Sequence, residues 1–291
     1  MHTTYALRVT DYVPSMRMRR VARALLHWRE SRGINAADIA RKAGWSGAKQ
    51  SRLENATQPV QPAQVITLAL LYDIPEAERD AVFTACLAAQ ERGWWETVSR
   101  EALVADVLDY VDFESVATTV RTFKVDLIDG LLQTQEYAAA IGEAFLPPAP
   151  PEVVQERVEA RAKRQERLAG ENPIHVEAVL TEGALRVEVG GPEVMRQQLD
   201  WLVELGKQPN VDLRVLPATG AYPAMGTPFY LLSFDGAFPD VGYIELLNRG
   251  VYVEEPEDLE PYQVNFAGLR KVALSQNKSR SLIAEIAQNL R

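Results

Sequence analysis

Apolar positions recur three or four apart through residues 15–92, the spacing of helices that bury one face. From Ser15 the pattern predicts a helix to Arg32. Val21, Leu25 and Trp28 form its apolar stripe, Arg17, Arg19, Arg20, Arg23 and Arg29 its other side, and Gly33 its end. Within 34–56 it predicts two short helices. Asn35 N-caps the first, Ala36–Ala43, on which Ile39, Ala40 and Ala43 share a face. Gly44 fits the position after a helix, where a left-handed backbone penalises a Cβ. Trp45 is the apolar plug after the turn. Ser46 then caps a helix from Gly47 to Asn55, with Leu53 facing the core. Pro62 fits the first turn of a helix to Tyr72, with Val65, Leu68, Ala69 and Leu71 inward, and Glu76–Arg92 makes a fifth, ended by Gly93.

Beyond Trp94-Trp95, read as an interdomain anchor, Leu103, Val107, Tyr110 and Val111 predict a helix over Ala102–Lys124. Thr134 caps a helix Gln135–Phe145, which the proline cluster 147–151 stops. A charged helix from Glu152 to Gly170 follows, and then the first strand, Ile174–Leu180. A helix over Pro192–Lys207 precedes strands at Val211–Pro217, Phe229–Phe234, Gly242–Leu247 and Val251–Glu254. Helices Leu259–Leu274 and Lys278–Leu290 close the chain. The expected architecture is multidomain α and α/β. A five-helix helix-turn-helix domain (1–93) and a helical connector (94–151) precede an α/β domain (152–291). That domain carries a mixed sheet of about four or five strands covered by helices. Tyr5–Val13 fits either a strand or an arm.

Composition adds that the 291 residues, 47% hydrophobic and 24% charged, are those of a globular protein. No apolar run approaches a membrane span, and the N-terminal stretch lacks the basic-then-apolar order of a secretory signal. The single cysteine, Cys86, excludes an internal disulfide, suits a reducing cytoplasm and sits in an apolar helical pattern.

Charge changes the picture more. The net −9 divides into +7 over residues 1–60, −3 over 61–100 and −13 over the remainder. A basic module on an acidic body is expected where only one end touches phosphate. Two helices joined by a glycine-containing turn, the second carrying Lys49 and Arg52 with Ser51 between them, fit a helix-turn-helix whose second helix enters the major groove. The alternative is a plain αα-hairpin with a solvated basic face. Cap, turn glycine, plug and basic helix all in register favour the former.

Several stretches resemble one family, the actinobacterial xenobiotic-response-element-class regulators with a large C-terminal domain (WhiJ-like or antitoxin-like). They are Ser51-Arg52-Leu53-Glu54-Asn55, Arg92-Gly93-Trp94-Trp95, Gly130-Leu131-Leu132-Gln133-Thr134 with Glu136-Tyr137-Ala138, and Arg161 with Arg164-Gln165. Gln198-Leu199, Val215-Leu216-Pro217 and Tyr243-Ile244-Glu245 complete the set. The resemblance implies a cytoplasmic DNA-binding homodimer, often encoded beside a small partner protein. It implies no catalytic activity and no cofactor, and its C-terminal domain is expected to sense a small-molecule effector or bind a partner. Candidate contacts to operator DNA are Asn35, Ala36, Arg41, Ser46, Gly47, Ala48, Lys49, Gln50 and Arg52. Gly47 and Ala48 stand where long polar residues are common, so base readout is expected to rest on Lys49, Arg52 and Gln50. Asp129 replaces a usual proline. The rival reading is an antitoxin-like interaction protein with weak DNA specificity.

Enzyme signatures are missing: no phosphate loop, no paired CxxC and no G-x-S-x-G. His2, His27 and His175 are far apart and form no chelating helical pair, and His175 is expected as a partly buried strand residue. Carboxylates are abundant, and Glu245 and Glu254, on adjacent strand candidates, could meet. The loop Pro217–Pro228 reads as a surface connection or a pocket wall.

Overall fold

Ser15 opens the first helix by accepting a hydrogen bond from the Met18 amide, and Val21, Leu25 and Trp28 of that helix are fully buried. The computed structural model describes residue 12 and residues 14–235, 238–247 and 249–290. The strand-or-arm expectation for Tyr5–Val13 therefore falls outside the described residues, Tyr12 excepted. Two compact units divide the chain: Met1–Arg92 with Asp235–Phe238, and Gly93–Phe234 with Pro239–Arg291.

The first unit holds α1 (Met16–Glu30), α2 (Ala36–Lys42), α3 (Gly47–Glu54), α4 (Pro62–Leu71) and α5 (Glu76–Ala88). Their apolar faces close one core around Leu25, Trp28, Ile39, Leu53, Val65, Leu68, Val82 and Cys86. The arginine side of α1 is less solvated than its pattern predicts. Arg17 is buried and donates to the carbonyls of Ala88 (2.8 Å) and Glu91 (2.9 Å), satisfying backbone groups at the end of α5. Arg20 is buried too, Arg23 is half-buried and Arg29 is drawn into the ion pair described below, which leaves Arg19 as the exposed member. His27 is an exposed surface residue.

The second unit runs α6 (Ala105–Glu114), β1 (Thr119–Lys124), α7 (Gln135–Ala144), α8 (Pro151–Gln165), β2 (His175–Thr181), α9 (Glu182–Arg186) and α10 (Pro192–Leu205). It continues with β3 (Val211–Leu216), β4 (Phe229–Ser233), β5 (Val241–Glu245), β6 (Gly250–Val253), α11 (Pro256–Val272) and α12 (Gln276–Asn289). The six strands form one mixed sheet in the order β3-β2-β1-β4-β5-β6, parallel across the first three and antiparallel across the rest.

The helical connector expected over 94–151 is corrected here. The last six residues of the predicted helix Ala102–Lys124 are β1, which pairs with β2 on one side and β4 on the other. Its residues, TVRTFK, include β-branched and aromatic types that pack on both faces of a sheet, and that packing overrides the helical periodicity carried over from α6. The sheet accordingly has six strands.

One face of the sheet packs Phe123, Phe229 and Leu231 against Leu259, Phe266 and Leu269 of α11. On the other, register brings Thr122, Tyr230, Tyr243 and Tyr252 into one row across β1, β4, β5 and β6. The rings of Tyr110 and Phe113 from α6 lie on this row, with Tyr110 4.8 Å from Tyr243 and 5.1 Å from Tyr230. His175 opens β2 exposed rather than partly buried. Glu245 pairs with Gly250, whereas Glu254 follows Val253, which pairs with Gly242. The two carboxylates stand at opposite ends of the hairpin and do not meet. In the loop after β3, the Tyr222 ring packs edge-on to Phe123, and the Ala218 amide donates to Glu182.

The loop between β1 and α7 is held by amides and a carboxylate. Gln133 donates to the Ile128 carbonyl (2.6 Å). Gln198 of α10 accepts from the Thr134 amide (2.6 Å) and donates to the Leu132 carbonyl (2.8 Å). Asp129 accepts from the Leu131 amide (2.9 Å) and from the Thr122 hydroxyl (3.3 Å), a use that no proline could serve.

Candidate nucleic-acid interface

The turn between α2 and α3 is set by Gly44, whose φ of +74° is the left-handed conformation that favours glycine. It lets the Trp45 amide reach back to the Ala40 carbonyl at 3.0 Å. Asn35 caps α2 through Oδ1, which accepts from the Ala37 amide at 2.8 Å, and Ser46 caps α3 through Oγ, which accepts from the Lys49 amide at 3.2 Å. Both caps are exposed, so the first turns of two helices present their amide ends to solvent.

A polar chain fixes how α3 lies on α1. Arg29 donates from Nε to Glu54 Oε1 at 2.7 Å and from Nη2 to Oε2 at 3.0 Å. Gln50 Nε2 donates to the same Oε1 at 2.7 Å, and Gln50 Oε1 accepts from the Trp45 indole at 2.9 Å. Every member is buried or nearly so, and the low local dielectric strengthens such a chain while it stays complete.

Gln50 is therefore removed from the DNA-contacting set. It is wholly buried, with donor and acceptor both committed inside the unit, because Trp45 and Glu54 offer it partners that solvent or a base edge would have to displace. The outer surface of α3 is instead Gly47, Ala48, Ser51, Arg52 and Asn55, all exposed, with Lys49 at the margin. The Lys49 ammonium lies over the Trp45 ring, 4.6 Å from its centroid. Arg52 donates to Gln58 Oε1 at 3.0 Å, and exposed Arg41 pairs with Asp38 at 2.7 Å. Ala36 is half-buried in the first turn of α2.

Two neighbours escaped the sequence reading. Asn55 lies one helical turn beyond Ser51 and donates to its carbonyl, a position the i to i+4 rule makes findable. Gln58 lies past the helix, and no local pattern links it to Arg52.

Of the predicted contacts, the structure thus brings Asn35, Arg41, Ser46, Gly47, Ala48 and Arg52 to the surface and keeps Lys49 partly so. No carboxylate interrupts the exposed face of α3, since its one acidic residue, Glu54, points inward. Such a face admits phosphate and base edges without like-charge repulsion.

Comparison with known proteins bears on both units. Residues 20–82 match a family model described as a helix-turn-helix domain, which spans α1 through the middle of α5. Residues 107–285 match the model described as a domain of unknown function, DUF5753, which takes in the whole sheet. No curated protein and no solved structure matches the chain. Since the second match spans more than half of its length, the chain belongs to the DUF5753 family and carries a helix-turn-helix domain ahead of that family's domain.

Proposed function

We propose that the protein is a sequence-specific DNA-binding transcription regulator of the xenobiotic-response-element class, similar to the actinobacterial WhiJ-like regulators. The observation that carries this reading is the exposed, carboxylate-free face of α3, held on α1 by the Arg29–Glu54–Gln50–Trp45 chain. Arg52 and Lys49 supply base-edge and phosphate contact, and the amide ends at Asn35 and Ser46 supply phosphate contact. The charge balance supports it, with +7 over residues 1–60 against −13 over 101–291. In this reading the protein works in the cytoplasm as a homodimer that places two copies of α3 about 34–36 Å apart on paired half-sites. The second unit receives an effector or a protein partner and does no catalysis.

A second reading is favoured by one observation: Gly47 and Ala48, at the exposed start of α3, carry no hydrogen-bonding side chain. An antitoxin-like protein that chiefly binds a small partner would tolerate that loss.

Selection of genomic fragments by the full-length protein at two salt concentrations tests the two. A recovered palindrome supports the regulator. Unselective binding that collapses with salt overturns it in favour of phosphate contact without readout.

A further inference from the structure

The second unit contains a half-buried cation with no hydrogen bond and no ion pair among the described residues. Arg157, Arg161 and Arg164 lie on one face of α8 at helical spacing, and the first and last are fully employed. Arg157 donates to the carbonyls of Glu101 and Ala102 (both 3.1 Å), and Arg164 grips Glu114 at 2.7 and 2.8 Å. Between them, among the described residues, Arg161 forms no hydrogen bond and no ion pair, and its Nε is sealed from solvent without a partner.

The carboxylates that could serve it are committed elsewhere. Glu114 is taken by Arg164, Asp129 by the Leu131 amide and the Thr122 hydroxyl, and Glu245, itself exposed, by Lys124 at 3.8 Å. The ammonium of Lys124 also lies 4.2 Å from the centroid of the Tyr230 ring. Burial and the like charge of Arg164 push the Arg161 pKa down, against the pull of Tyr230, Glu245 and Asp129.

Its place in the fold has a second meaning. Lys124 ends β1, where the chain leaves toward β2 on one side while β4 returns on the other. In open sheets the crevice beyond the carboxyl ends of parallel strands, here β1, β2 and β3, is where ligands bind. Gly130, in the loop that follows, packs close against the two guanidinium groups. A Cβ at that position would stand 3.3 Å from both Arg161 Nε and Arg164 Nη1.

We propose that Arg161 anchors a small organic anion, a carboxylate or a phosphate monoester, with Lys124 beside it. A planar guanidinium fork is the group suited to both head groups. This deepens the effector-receiving half of the regulator reading and rests on it, but its test uses no DNA, so either can fail alone.

The test is calorimetric titration of the full-length protein with benzoate, phenyl phosphate and inorganic phosphate, with benzamide as the neutral counterpart. Arginine side-chain N–H signals are followed in parallel. Saturable binding of benzoate or phenyl phosphate is expected, with a shift of the Arg161 Nε–H signal and none from benzamide. Arg161→Gln should weaken that binding at least about tenfold. The same variant without ligand should melt no lower than the parent, because the side chain has no hydrogen bond or ion pair to lose among the described residues; a structural arginine would lower it. Gly130→Ala, which keeps Arg161 but fills its surroundings, should also weaken binding. No saturation by any anion at about 10 mM, or unchanged affinity in Arg161→Gln, overturns the proposal. Inorganic phosphate binding as tightly as phenyl phosphate would overturn the choice of an organic anion.

Discussion

Arg29 holds Glu54 through two parallel hydrogen bonds of 2.7 and 3.0 Å, so the last turn of α3 is pinned to the last turn of α1. Removing one partner leaves the other charged, buried and unanswered. Glu54→Ala should cost about 3–5 kcal/mol and also strip Gln50 of its acceptor. Urea unfolding followed by tryptophan emission measures this, since Trp28 and Trp45 lie in the first unit. A loss under about 1 kcal/mol would place the pair among weak surface bridges.

Arg52 and Gln50 should separate cleanly in function. Arg52→Ala, at the exposed face of α3, should cost about 1–3 kcal/mol of discrimination between a selected site and random DNA. Gln50→Met should leave discrimination intact and lower stability by about 1–3 kcal/mol, through the stranded Trp45 indole and the donor lost to Glu54, which keeps Arg29. Competition binding with both variants reads the contrast, and the reverse pattern would return Gln50 to the interface.

The Gly44 turn should resist replacement for a backbone reason alone. No atom lies within 4 Å of where its Cβ would stand, yet φ is +74°. Gly44→Ala should therefore cost about 1–2 kcal/mol, while Gly47→Ala, equally open but at ordinary φ, should cost nothing or stabilise α3. Thermal melts of the pair check this.

Stability of the second unit should carry an acid limb that Asp212 helps to set. Burial alone would raise its pKa, but hydrogen bonds and charge from Arg214, then Arg270, outweigh it and hold the carboxyl below its usual range. A depressed folded pKa gives a contribution that is full above the unfolded value, about 3.9, and drains away as pH falls through the folded one. Asp212→Asn should lower stability at neutral pH and flatten that limb; an unchanged pH profile would dismiss the group.

Cys86 should be inert until the first unit opens. Its thiol is buried, donates to the Val60 carbonyl at 3.3 Å, and burial pushes its pKa up to about 11. Labelling by a disulfide reagent at pH 7 should follow the global unfolding equilibrium in urea. Labelling at the rate of a free thiol would show that the core opens locally.

Much of this was legible along the chain because it is locally encoded. The caps at Ser15, Asn35, Ser46 and Thr134, the Gly44 turn and the strand at Val211–Leu216 all follow from neighbours within a few residues. What escaped depends on distant partners. Strand β1 follows α6 across Ser115–Thr118, with neither glycine nor proline to mark the change, and only β2 and β4 make it a strand. Gln50 reads as an exposed polar residue until Trp45 and Glu54 are seen to enclose it. Arg161 reads as one more charge on a solvated helix, since its lack of a partner is a property of several elements at once.

The position of β1 in the middle of the sheet also orders events during synthesis. Helices α1 to α5 are complete by Ala88 and can close their core while the ribosome is still at work. Strand β1 emerges soon afterwards, yet its antiparallel partner β4 begins only at Phe229. Until then one edge of a β-branched, apolar strand waits unpaired, a template for other nascent chains. Slow translation or a pause between β3 and β4 should thus favour aggregation, and a chain cut short before β4 should be the form that chaperones hold.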